Sequence, residues 1–242
     1  MGRLLLIAGI GFLYSTAGIA QAGGFPNYNL YSPPTYYKDV PVKGSPLLFD
    51  SAWAHANVIT ANNKIIENDS LYFNFNKIKQ SLLLTEDYRK IYEVDKREFK
   101  SVTFFWHDSV YIFEHVYLIN NRDFFEELVR DEHKYSLYKF INTLIKAVAW
   151  HTNGLVSEAR VEDANGMVTE GKLYDQFVDV PVYYIILPNK EYRVLNEINE
   201  KSITRAFKLN ADSEKVASWI SRNKARVFDE DFLWKLILFL NQ

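Results

Sequence analysis

The sequence predicts an α+β protein: an antiparallel β-rich body, a meander forming a sandwich or rolled sheet, followed by a C-terminal helical segment of two to three helices. Three observations predict it. From residue 53 to about 120, short β-branched or aromatic runs alternate with Asn, Asp and Lys turns, the signature of an antiparallel meander. Aromatic residues make up 16% of the chain, and large rings suit a pleated, half-buried surface. Beyond residue 199 the apolar period lengthens from that of a strand to that of a helix.

The first residues read as an export signal. Arg3 supplies a short positive region, Leu4 to Leu13 form an apolar stretch broken only by glycines, and Ala20-Gln21-Ala22 fits the small-x-small cleavage rule. Residues 1–22 are therefore expected to be a signal peptide cleaved after Ala22. The apolar run is shorter than the roughly 20 residues that cross a bilayer, and Gly23, Gly24 and Pro26 follow in place of a charged flank. No integral membrane span is expected in the mature chain.

Composition narrows the chemistry. The chain has no cysteine, which excludes disulfides, thiol catalysis, zinc-thiolate sites and a lipoprotein anchor. A net charge of −2 without a basic stripe argues against nucleic acid as a partner.

Residues 23–46 carry Pro26, Pro33, Pro34, Pro41 and Pro46 between Tyr28, Tyr31, Tyr36 and Tyr37. Proline removes ladder donors, so this Pro/Tyr-rich stretch is an extended lead-in with at most short edge pairing. The β body is expected over 47–198. Its first strands are Val58-Ile59-Thr60, Leu71 to Phe75, Ser81 to Leu84 and Ile91 to Val94.

The most readable hairpin runs from Phe99 to Ile119. A two-residue turn at Asp108-Ser109 sets His107 beside Val110, Trp106 beside Tyr111 and Phe105 beside Ile112. One face then carries Phe99, Phe105, Val110, Ile112, Val116 and Leu118, the other Val102, Phe104, Trp106, Tyr111 and Phe113. Both faces are apolar, so cover on both sides is expected. Phe124 to Val129 and Tyr135 to Ile145 form a further hairpin turning at Asp131-Glu132-His133, with a helix over Phe124 to Arg130 as the competing reading. Residues 150–180 are the least regular, and Val182 to Leu187 pairs with Glu191 to Leu195 around Pro188-Asn189-Lys190. Over 199–242 helices are expected around Lys201 to Lys208, after a cap at Asp212, and after a cap at Asp229. The last should present Phe232, Leu233, Leu236, Ile237 and Leu240 on one face, packed on the body.

Five histidines are present: His55, His107, His115, His133 and His151. The hairpin register places His107 and His115 on opposite faces about 17 Å apart at the usual strand rise. They cannot share an ion, and neither a metal site nor a cofactor is expected. His151, with Glu158 and Asp163 and near Glu162 and Asp175, is a candidate ligand-binding group on an irregular loop, against the plainer reading of solvated loop charge. Trp53, Tyr36 and Tyr37 are candidates for stacking on a sugar ring, against the plainer reading of packing. A serine nucleophile finds no Gly-x-Ser-x-Gly, and Ser45 and Ser157 have no supporting signature. The only Gly-x-Gly, at Gly9-Ile10-Gly11, falls in the signal segment.

The run Gly44-Ser45-Pro46-Leu47-Leu48, the hairpins after it and the pattern from Tyr183-Tyr184-Ile185 to Phe207 resemble exported proteins of Bacteroidota that have no assigned activity. The resemblance spans much of the mature chain. It implies a Gram-negative envelope, periplasmic or outer-membrane associated or secreted, and it transfers no catalytic residue. Three functions remain open: a non-catalytic envelope protein that binds a protein partner or supports an envelope assembly, a small-ligand or glycan-binding module, and a hydrolase with dispersed carboxylate or histidine residues.

Overall fold

The turn after β2 (His55–Thr60) shows how polar punctuation sets the meander. Asn63 adopts a left-handed backbone (φ 64°), its amide donates to the Thr60 carbonyl, and the Lys64 amide donates to the Thr60 hydroxyl before β3 (Ile65–Glu67) begins. This computed structural model describes residues 28–31, 43–150, 156–160, 172–223 and 226–242.

Among the described residues, two antiparallel sheets and three α-helices make up the fold. The smaller sheet holds β1 (Tyr28–Leu30), β6 (Tyr92–Val94), β5 (Ser81–Thr85) and β4 (Tyr72–Asn76) in that spatial order. The larger runs β13 (Tyr192–Leu195), β12 (Lys172–Ile186), β10 (Ser136–Trp150), β9 (Asn120–Val129), β8 (Ser109–Val116), β7 (Phe99–Trp106), β2 and β3, with β11 (Val156–Arg160) also on β10. A bridge between Ala54 and Phe73 joins the sheets at a corner. Of the lead-in, β1 pairs with β6 and Lys43 bridges Gln176, which is the short edge pairing its prolines allow.

Side-chain alternation explains how the layers sit. On β9, Phe124 enters the core under the small sheet and Leu128 joins the core under the helices, while Glu126 lies between them. On β10, Ile141, Leu137 and Lys139 divide the same way. The small sheet and the helical layer therefore lie side by side on one face of the large sheet. Rings fill the first core: Phe75 stacks on Phe113 at 5.0 Å and Phe99 on Phe124 at 4.4 Å. Phe99 reaches that core through a bulge, because Ile59 pairs with Ser101 while Thr60 pairs with Phe99.

Several expectations change. The β7–β8 turn is His107-Asp108, with His107 left-handed (φ 52°), so Trp106 faces Ser109 and Phe105 faces Val110. The slip is two residues along one strand, which changes partners but keeps the faces; Phe99, expected beside Phe105 and Val110, is the exception, because the bulge turns it into the core with Val102, Phe104 and Phe113. Cover on both sides is corrected in part: Val102, Phe104 and Phe113 are buried, and on the other face Val116 is buried against Phe125 and Tyr138, but Phe105 and Val110 there are exposed. The small sheet and the helices both sit on the Val102 side of the large sheet. Residues 150–180 are not uniformly irregular, since they hold β11 and the first part of β12, which extends the β10 ladder to Trp150. Phe124 to Val129 is strand, and its hairpin with β10 forms as expected.

The helices are α1 (Glu200–Phe207), α2 (Ser213–Asn223) and α3 (Glu230–Leu240). Asp229 caps α3 by accepting from the Phe232 amide, and the five apolar residues expected on its inner face are all buried. The Asp212 carboxylate, expected as a cap, accepts instead from the Tyr135 hydroxyl (2.6 Å) and pairs with Lys215 (2.9 Å). No helix among the described residues is long and apolar enough to cross a membrane.

Candidate interaction surface

The face of the large sheet turned away from both covering layers carries large apolar side chains at the surface. Its first sector lies at the corner between the sheets. His55 on β2 is the register partner of Phe105 on β7, which is the partner of Val110 on β8. Val110 is 58% exposed and Phe105 43%, so the adjacent pair forms an open apolar spot.

From His55 a chain of ring contacts leads away. His55 lies 4.8 Å from the Tyr72 ring, Tyr72 lies 5.1 Å from Tyr88, and Trp53 meets Tyr88 edge-on at 6.3 Å. The Ala54–Phe73 bridge sets His55 and Tyr72 side by side. Tyr88 is held left-handed (φ 64°), a conformation rare for a bulky residue, by its amide donating to the Thr85 hydroxyl, which itself donates to the Lys90 carbonyl.

A second sector lies at the opposite end of the same face. Phe125 contacts Phe140 at 5.7 Å and Tyr184 edge-on at 5.2 Å, and Tyr184 contacts Tyr192 at 6.1 Å. The run becomes more exposed toward the edge strand, where Tyr192 and Val194 are at the surface. Between the sectors sits a charged group. Arg130 pairs with Glu114 (3.1 Å) and Glu127 (3.3 Å), and the Tyr138 hydroxyl donates to Glu114. The Glu114 carboxylate holds the Arg130 guanidinium above its ordinary value, and burial, then Glu114, push Glu127 up.

On the covered face, Glu126 and Glu230 flank Lys139 at 2.8 and 3.1 Å, and the Tyr183 hydroxyl donates to Glu230 (2.8 Å). Burial pushes the Glu126 carboxyl up against the pull of Lys139. This carboxylate pair lies in the seam between the small sheet and α3, where each acid is already taken by Lys139 or Tyr183. The arrangement ties the helical layer to the sheet.

Of the sequence candidates, Trp53 joins the corner sector as a half-buried ring. Tyr36, Tyr37, His151 and Asp163 lie outside the described residues, and Glu158 sits on β11 opposite Val148. His115 packs its ring on Phe124 at 3.9 Å with Nδ1 at 3.0 Å from the Asp123 carbonyl, a packing role. Sequence reasoning missed Tyr72 and Tyr88. It had Phe105 and Val110 on the correct face but assigned that face a cover.

Comparison with family models, curated proteins and solved structures finds no match.

Proposed function

We propose that this chain is an exported, non-catalytic envelope protein that binds a protein partner through the open face of its large sheet. The observation that carries the reading is the adjacent pair Phe105 and Val110, exposed and continuous through His55 with the rings of Tyr72, Tyr88 and Trp53. Single apolar residues at a surface are ordinary, but a connected aromatic and aliphatic patch on one sheet face marks a place where another surface excludes water. The envelope location rests on the signal-like first residues and on the resemblance to exported Bacteroidota proteins.

The test is fractionation of the native host with chemical crosslinking of the protein and of its Val110→Glu variant. A defined envelope partner bound by the parent and lost from the folded variant supports the reading; equal recovery of that partner by both removes this face from it. A second reading, a glycan-binding module, is favoured by the Trp53–Tyr88–Tyr72 ring contacts, since exposed Trp and Tyr rings combine an apolar face with a polar edge. Titration with neutral oligosaccharides that shifts the Trp53 and Tyr88 resonances would move the assignment there.

A further inference from the structure

We infer that the partner of the open face brings a cationic side chain, an arginine or a lysine, to the Glu114 and Glu127 carboxylates at the centre of that face, with apolar residues beside it. The inference rests on the reading of the face as a protein-docking surface and names the chemistry of what docks there.

The acids at the centre outnumber their donors. A single nitrogen of Arg130, Nη1, lies 3.3 and 3.1 Å from the two Glu114 oxygens and 3.3 Å from Glu127 Oε2, so its two N–H groups are spread over three acceptors. The Tyr138 hydroxyl adds a bond to Glu114 (3.1 Å), and Glu127 has no donor other than Arg130 among the described residues. Both carboxylates are largely withdrawn from water, Glu114 at 18% and Glu127 at 14% exposed, while Arg130 is half exposed. Burial, then Glu114, holds the Glu127 carboxyl above its ordinary value. The pair is an excess negative charge at the place where a docking surface strips away the last water.

The rest of the face does not neutralise it. Among the described side chains, Asp123 is paired with Lys96 (3.1 Å) and Glu67 is held by the neutral Asn57, which leaves Glu67, Glu114 and Glu127 against Arg130, three acids to one base. A second copy of this chain would bring the same excess to the contact, and like charges would oppose it. A wholly apolar partner would bury the carboxylates without compensation. A partner cation avoids both costs, and a guanidinium offers the further N–H groups that the two acids lack.

The apolar flank fixes a spacing. Val110, Ile112 and Glu114 alternate along β8 on the one face, so Val110 and Glu114 stand about 13 Å apart at the usual strand rise. An extended partner segment lying along them carries its cation four residues from one apolar anchor, with a second apolar residue midway.

The probe follows from that pattern: the blocked peptide acetyl-Arg-Thr-Val-Thr-Phe-amide, and the same peptide with citrulline, which keeps the shape of arginine without its charge. Each is titrated at low salt into the isotope-labelled chain, following the Val110 and Ile112 methyl groups and the Glu114, Glu127 and Tyr138 amides. The arginine peptide should bind about tenfold more tightly, the factor of one charge-assisted contact. Glu127→Gln should bring the ratio close to one, and Arg130→Gln, which releases both carboxylates, should widen it. Equal affinity of the two peptides with shifts on the face overturns the cation and leaves the face as a docking surface. Shifts from neither peptide at millimolar concentration overturn the inference together with that reading of the face. A preference for arginine that maps elsewhere, or that survives both Glu127→Gln and Glu114→Gln, overturns the inference as well.

Discussion

Replacing Lys139 by Met should unfasten the helical layer, and the size of the effect follows from the seam. Lys139 lies 2.8 Å from Glu126 and 3.1 Å from Glu230, and the Glu126 side chain is 8% exposed against 41% for Glu230. At an effective dielectric of about 20 the first contact is worth roughly 6 kcal/mol of gross attraction, most of it offset by desolvation of both groups. The Glu230 contact is half-solvated and adds little. Removing the cation leaves Glu126 buried without its partner, which costs about 3 kcal/mol at pH 7. The pH dependence has a definite sign. Burial already raises Glu126 above its ordinary value, and losing Lys139 raises it further. A carboxyl raised in the folded state binds more protons there than in the unfolded chain, so stability falls as pH rises between the unfolded and folded values. Urea unfolding followed by fluorescence, with Trp219 in the helical core as one reporter, should show a smaller loss at pH 5 than at pH 8. Adding Glu126→Gln should restore part of the loss. A loss under about 1 kcal/mol with no pH slope would refute the seam as an ion-pair latch.

Three further outcomes follow from single contacts. Gly44 has φ +73°, and a Cβ there would sit 2.4 Å from the Phe177 carbonyl oxygen, beside the Phe177 amide bond to Lys43; Gly44→Ala should cost about 2 kcal/mol in urea and speed exchange of the Phe177 amide. Burial first, and Asp212 and Glu230 respectively second, push the Tyr135 and Tyr183 phenols well above their ordinary value. Stability from them is present below pH 10 and lost as pH rises beyond it, so phenolate absorbance should show a delayed fraction that Tyr183→Phe reduces. Asn241 stands in for a strand partner, accepting from the Tyr135 amide and donating to the Tyr135 carbonyl at 2.9 Å each; Asn241→Ala should lower stability by about 1–3 kcal/mol, read from the thermal midpoint with its unfolding enthalpy.

Local signals carried most of the fold. Asn63, Lys190 and Asp229 stand at turns or caps because the residues around them leave the backbone few other ways to satisfy its hydrogen bonds, and the strands between them were legible by alternation. Long-range placement was not. Val102 and Phe105 look equally apolar in sequence, and only the side on which the small sheet lands makes one buried and the other exposed. Nor does periodicity separate a strand of β12 from a loop when Pro181 and several acids interrupt the pattern, since those residues sit in a ladder paired along its length with β10. At the corner patch, Trp53 was legible as an aromatic beside the lead-in. Tyr88 was not, because nothing local marks a tyrosine for a left-handed turn.

The open face is tested most directly by photocrosslinking in the native envelope, with a photoreactive residue at Phe105 or Tyr192 and, as control, at the 92% exposed Leu209 in the α1–α2 turn. The account predicts one defined protein adduct from the two face positions and none of that adduct from Leu209. Adducts from Leu209 alone, or the same adduct from all three positions, would contradict it.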